Sequence, residues 1–277
     1  MKTVTLPSGR EVPALGLGTW KMGEDPRSRQ REIAALQHGI DLGMTLIDTA
    51  EMYGEGGAEE LIGEAIQGRR QQVFLVSKGY PHNATRRGAI AACERSLRRL
   101  RVESIDLYLL HWRGSVPLSE TLDTFAQLKQ AGKIASFGVS NFDTSDMEEA
   151  WGLAHGHGVE TDQVLYNLTR RSVEYSLLPW LRHRHVPVMA YSPVEQGRLL
   201  RNPKLAGIAE RRHASPAQIA LAWLLAQPEV IAIPKSGDRK HVAENRAAVD
   251  IALTADELAA LDRAFPRPQK PKPLEML

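Results

Sequence analysis

The sequence predicts an α/β chain folded as one (β/α)8 barrel domain over residues 1–277, with an N-terminal β-hairpin and an extra C-terminal helix. Three observations carry this expectation. Eight short β-type runs alternate with helical runs along the chain, which implies parallel strands joined by right-handed crossovers. A count of eight favours a sheet closed on itself over an open, doubly wound one. Finally, the first strand–helix turn reads Gly16-Leu17-Gly18-Thr19-Trp20-Lys21. It lacks the third glycine and the immediate helix that an open dinucleotide-binding sheet requires.

The chain opens on a hairpin, Thr3 to Leu6 and Arg10 to Pro13, around a turn at Ser8-Gly9. Strand candidates follow at Leu15–Gly18, Thr45–Asp48, Val73–Ser77, Ile105–Leu110, Ile134–Val139, Gln163–Tyr166, Pro187–Ala190 and Val230–Ile233. Helical segments lie between them near 28–42, 58–68, 84–100, 118–131, 144–156, 174–185, 205–227 and 239–249, the seventh reading as two helices. Ser215-Pro216-Ala217-Gln218 is a capping box with proline at the first helical position. Thr254-Ala255-Asp256-Glu257 is another, opening the extra helix on an apolar side of Leu258, Leu261 and Phe265. The proline-rich tail from Pro266 to Leu277 cannot continue that helix and reads as a surface strap or a loose end.

Composition narrows the function classes. Lys and Arg number 35 against 33 Asp and Glu, so no strong field draws the chain to nucleic acid or a membrane surface. Cys93 is the only cysteine, which excludes an intrachain disulfide. It falls in the series Ile90, Cys93, Leu97, Leu100, a buried helical stripe in which free cysteine behaves as a small hydrophobe. Met1-Lys2-Thr3-Val4 leads into no apolar signal segment, and no run is long enough to span a bilayer. A soluble, cytoplasmic protein acting on a small molecule is expected.

In a barrel of this kind chemistry sits at the C-terminal ends of the strands. The second strand ends at Asp48, with Tyr53 in the loop beyond; the third ends at Ser77-Lys78 and the fourth at His111. Together they suit carbonyl reduction. Hydride addition leaves an alkoxide that needs a proton, and free tyrosine is a reluctant donor at neutral pH. A lysine ammonium beside the phenol is expected to lower its pKa, and Asp48 to hold that lysine. A neutral His111 would orient the carbonyl oxygen and steady the developing charge. One Asp and one His without a further close ligand make no zinc site. His155-Gly156-His157 and His183-Arg184-His185 each close a helical segment, where histidine suits the helix dipole, so no metal is expected.

Asp48-Thr49-Ala50-Glu51-Met52-Tyr53-Gly54, Ser77-Lys78 and Leu109-Leu110-His111-Trp112 resemble the catalytic tetrad motifs of the aldo-keto reductases. Gly138-Val139-Ser140-Asn141-Phe142 and Ile233-Pro234-Lys235-Ser236 are similar to two further signatures of that family, and the resemblance runs over essentially the whole chain. Within that family the chain looks most like short bacterial members that reduce methylglyoxal and similar small aldehydes. The resemblance implies Tyr53 as general acid, Lys78 as its neighbour, Asp48 as the lysine's partner and His111 as the carbonyl-orienting group. It implies NADPH as cofactor. Ser140, Asn141 and Gln163 would meet the nicotinamide carboxamide, and Tyr191 would stack under the ring. Glu195-Gln196-Gly197-Arg198-Leu199 follows the seventh strand, where this fold often holds a phosphate-bearing loop, so Arg198 is expected to approach the pyrophosphate. Lys235 and Ser236 would grip the 2′-phosphate, with Glu244 and Asn245 toward the adenine. The chain departs from the pattern at His241, where the family commonly carries an arginine; histidine stacks but lacks the guanidinium fork. Trp20, Tyr80 and Trp112 are expected to wall the substrate pocket, with the tail as a further candidate.

Two other classes compete with a monomeric reductase. A cofactor-binding regulatory subunit on the same fold would carry an added interaction segment. A barrel aldolase or isomerase would use Lys78 as a Schiff base and would need it free of an acidic partner. The grouping of Asp48, Tyr53 and Lys78 argues against the latter.

Overall fold

The computed structural model describes residues 1–277. Strands β1 (Thr3–Thr5) and β2 (Glu11–Pro13) form the antiparallel hairpin, with Val4 opposite Val12. Eight further strands make a second sheet: β3 (Leu17–Gly18), β4 (Leu46–Asp48), β5 (Phe74–Gly79), β6 (Ile105–Leu110), β7 (Ile134–Ser140), β8 (Val159–Leu165), β9 (Val188–Tyr191) and β10 (Val230–Ala232). They pair in sequence order and every pair is parallel. Two parallel bridges, Leu15 with Ala232 and Gly18 with Lys235, join the first strand to the last.

Ten α-helices complete the chain: α1 (Arg29–Asp41), α2 (Gly57–Ala65), α3 (Arg86–Leu100), α4 (Leu118–Gln130), α5 (Thr144–Trp151), α6 (Leu177–His183), α7 (Pro203–Arg211), α8 (Pro216–Leu225), α9 (Arg239–Ala247) and α10 (Ala255–Ala264). The 205–227 segment does divide in two, and the boxes at Ser215/Gln218 and Thr254/Glu257 form with both reciprocal bonds. A third box, Asp143 with Asp146, starts α5. The segment expected to be helical to 156 stops at Trp151. Gly156 packs so closely on Ala150 that an added Cβ would lie inside its carbonyl, so the chain has already turned back.

Strand β8 begins at Val159, four residues before the expected Gln163. Glu160, Thr161 and Asp162 are buried polar residues, which conceal the strand from a hydrophobicity reading. Each is buried with a partner. Glu160 accepts from the backbone and hydroxyl of Ser8, Thr161 donates to the Pro187 carbonyl, and Asp162 accepts from the Phe142 amide.

One core of 72 buried residues runs through the sheet, the helices and the hairpin. The hairpin contributes Val4, Leu6 and Val12, and Arg10 pairs with Asp106 at the start of β6. With the Ser8–Glu160 bonds, these contacts fix the hairpin at the N-terminal ends of the strands. No helix is long and apolar enough to cross a membrane.

Candidate active site

The acid–base residues expected from the sequence lie at the opposite ends of the strands. Asp48 is the last residue of β4, Lys78 lies one residue before the end of β5, and His111 follows β6 directly. All three are buried, and Lys78 is wholly inaccessible. The Lys78 ammonium lies 2.8 Å from Asp48 Oδ1 and 2.9 Å from Oδ2, donates to the Thr49 carbonyl at 2.8 Å, and reaches the Tyr53 hydroxyl at 3.3 Å. Tyr53 sits just beyond β4, at the start of a short turn whose next two residues, Gly54 and Glu55, adopt left-handed backbone (φ +57° and +53°). That turn swings the phenol back over Lys78. The Tyr53 and His111 rings meet edge-on with centroids 5.8 Å apart.

Burial dominates the electrostatics. It pushes Asp48 above the ordinary carboxylate range and Lys78 below the ordinary amine range; each is drawn back by its partner's charge and hydrogen bond. Tyr53 departs from the sequence expectation. Its pKa is raised well above the usual value, by burial first and by the Asp48 charge second. The resting phenol is therefore protonated. His111 is depressed to about 2, by burial and then by the Lys78 charge, so the imidazole is neutral. Its Nδ1 is buried without a hydrogen-bond partner.

These groups open onto a cavity of about 700 Å³. Asp48, Tyr53, His111, Trp20 and Trp112 border it on one side. Ser140, Asn141, Gln163, Tyr191 and Lys235 border it elsewhere. Asn141, at φ +58°, donates to the His111 carbonyl at 3.0 Å and to Ser140 Oγ at 3.1 Å, and accepts from the Tyr191 hydroxyl at 2.9 Å. Ser140 in turn donates to the Gln163 carbonyl at 2.7 Å. The side chain of Gln163 points to Asp48, donating to Oδ1 at 2.7 Å, and also approaches the Met189 sulfur.

Other predicted residues lie off the cavity wall. Tyr80 stacks on His82 and meets Trp112 edge-on at 5.8 Å, because its amide donates to the Glu51 carboxylate and turns the loop away. It therefore supports Trp112 from behind. Arg198 pairs with Glu195 at 3.1 Å and is more than half exposed. The Ser236 hydroxyl is engaged by the Asp238 backbone, and His241 is exposed in the first turn of α9. Glu244 and Asn245 lie further along that helix. The first turn's amides at Lys240 and His241 are already taken by Asp238 Oδ1. Conversely, Lys21, Met52, Gln196, Gly197, Met276 and Leu277 line the cavity without having been singled out individually. Lys21 was legible only as the neighbour of Trp20, and the last two had no signal beyond their place in the tail.

The aldo/keto reductase family model matches residues 14–265. Methylglyoxal reductase YeaE of Escherichia coli is 49% identical, aligned over 100% of this chain and 99% of its own length. Glyoxal reductase of Bacillus subtilis is 33% identical over 94% of this chain and 91% of its own. Among solved structures, an aldo/keto reductase from Klebsiella pneumoniae in complex with NADP and acetate has a TM-score of 0.98 at 50% identity, covering 100% of this chain and 99% of that one. A thermostable aldo-keto reductase bound to the inhibitor epalrestat has a TM-score of 0.90 at 41% identity, covering 95% and 99%. A match across the length of the eight-stranded sheet, together with the Asp48–Lys78–Tyr53 cluster at its C-terminal rim, makes this chain an oxidoreductase that belongs to the aldo/keto reductase family.

Proposed function

We propose that the chain is an NADPH-dependent reductase of small aldehydes and dicarbonyls of the methylglyoxal kind, in which Tyr53 delivers the proton. The observation that carries this reading is the Lys78 ammonium held between the Asp48 carboxylate and the Tyr53 hydroxyl, beside a cavity that His111 also faces. We further read the second sheet as a closed (β/α)8 barrel forming one domain, supported by the Leu15–Ala232 and Gly18–Lys235 bridges and the core of 72 residues that spans sheet, helices and hairpin.

The residues present fit the cofactor. Lys21 and Lys235 offer cations to its phosphates, and Gly197 presents open backbone, since an added Cβ there would meet nothing within 4 Å. Tyr191 offers an aromatic face held by its bond to Asn141. When bound, NADPH supplies the hydride that reduces the carbonyl carbon. Tyr53, protonated at rest, gives its proton to the forming alkoxide oxygen. As the proton leaves, the nearby ammonium of Lys78 stabilises the phenolate, and Asp48 keeps that ammonium charged and in place. Neutral His111 donates a hydrogen bond to the carbonyl oxygen, a contribution on the order of 3 kcal/mol to the barrier. Lys78 is a poor Schiff-base nucleophile, because its nitrogen is enclosed by Asp48, Thr49 and Tyr53. The test is consumption of NADPH by the purified protein with methylglyoxal or a nitrobenzaldehyde, run beside NADH. A protein that oxidises neither cofactor with any aldehyde is not this enzyme.

A further inference from the structure

The tail after α10 runs back to the cavity, where Met276 and Leu277 form part of its wall with Tyr53 and Tyr191. One side chain ties this strap to the loop after β9. Arg170, in the loop after β8, donates from Nη1 to Glu275 Oε1 at 2.8 Å. From Nε and Nη2 it donates to Glu195 Oε1 at 3.0 and 2.8 Å. Glu195 belongs to the loop whose residues Val194, Gln196 and Gly197 border the same cavity. Arg170 itself does not border it.

That loop is held in an unfavourable backbone. Glu195, Gln196 and Gly197 all have positive φ, at +51°, +53° and +86°. Two successive non-glycine residues keep such a conformation only where surrounding contacts over-determine it. The contacts here converge on the Glu195 carboxylate: Asn167 at 2.9 Å, Arg198 at 3.1 Å and the two bonds from Arg170. Arg198 is mostly exposed and adds little. Asn167 and Arg170 thus fix the loop, and Arg170, with its remaining nitrogen, also holds the strap. Its planar fork lets it hold both carboxylates at once.

We infer that Arg170 is a positioning residue that yokes the strap walling the carbonyl end of the cavity to the loop facing the cofactor, so that ordering either one orders the other. This rests on the reading that the cavity takes NADPH and a carbonyl compound. Linkage makes the effect reciprocal: a change confined to the strap must alter cofactor affinity as well as substrate affinity. A strap that only shaped the pocket would alter substrate affinity alone.

The test reads NADPH dissociation constants from cofactor fluorescence without substrate, then KM and kcat for methylglyoxal and a bulkier benzaldehyde. Glu275→Gln is expected to weaken NADPH roughly three- to tenfold and to raise the benzaldehyde KM, with kcat little changed. Arg170→Gln should do the same, and the double variant should be no worse than Arg170→Gln. NADPH affinity unchanged in Glu275→Gln, or effects that simply add in the double variant, would overturn the yoke. Thermal unfolding checks that both variants fold; if Arg170→Gln does not, Glu275→Gln decides alone. Should the wild type bind NADPH but reduce no aldehyde, the reductase reading fails while the fluorescence titrations still decide the yoke.

Discussion

Gln163 donates its side-chain amide to Asp48 Oδ1 at 2.7 Å, joining two residues 115 positions apart. Lys78 lies 2.8 Å from the same oxygen. Gln163 thus helps satisfy a carboxylate buried beside its counter-ion, in addition to any contact its carbonyl offers to a ligand. Replacing it by Glu sets a second carboxylate against the first. Gln163→Glu is expected to lower stability by about 2–4 kcal/mol and to depress kcat, read by denaturant unfolding and steady-state kinetics. Gln163→Met, which removes the bond without adding charge, should cost about half as much. Equal stability of the Glu variant and the wild type would mean that this bond carries no weight.

Tyr53 and Lys78 should separate when mutated, because on the proposed reading one acts only in proton delivery while the other also balances the buried Asp48 charge. Tyr53→Phe is expected to lose at least about a hundredfold in turnover while binding NADPH as before. Lys78→Met strands Asp48 in a dry site, so a loss of about 3–5 kcal/mol in stability should accompany the lost activity. Turnover by Tyr53→Phe at the wild-type rate would remove the phenol from its role.

The depressed His111 makes a statement about acid. Its pKa drops from 6.5 to about 2 on folding, through burial and then the Lys78 charge. Below about pH 6.5 the unfolded chain takes up a proton that the folded chain refuses, so this residue's effect is absent above that pH. As pH falls further it destabilises the fold by on the order of 1 kcal/mol per unit. Buried Asp48 and Asp162, both raised, pull the other way. Comparing the wild type with His111→Asn cancels them, and the Asn variant should lose less stability between pH 7 and 5. An identical slope for both would refute the assignment.

Gly18 is a steric requirement of the sheet. A Cβ there would lie 2.6 Å from the Ile233 carbonyl oxygen, a backbone atom with little freedom to retreat. Gly18→Ala is expected to cost about 1–3 kcal/mol, seen as a lower Tm. An unchanged Tm would show that the two strands separate easily.

The sequence exposes what is local and hides what is distant. The boxes at Ser215 and Thr254 are readable because both partners sit three residues apart on one helix turn. The positions of Asp48, Lys78 and His111 follow from strand ends, which apolar runs mark well. Tyr80 misleads because its direction depends on Glu51, a residue 29 positions earlier that holds its amide. The start of β8 is masked by polar residues whose partners lie in the hairpin and neighbouring strands. The Arg170–Glu275 contact spans 105 residues and leaves no periodic trace. Burial reverses the expected direction for Tyr53, since it depends on how fully the fold excludes water from the phenol.

The two ends of the chain are unequal places to attach anything. Met1 and Lys2 lie beside the hairpin, at the N-terminal ends of the strands, with the Lys2 ammonium on the Leu225 carbonyl. Leu277 stands in the wall of the cavity. A purification handle or reporter fused ahead of Met1 would hang clear of the reacting groups, whereas one fused behind Leu277 would start out from the doorway itself.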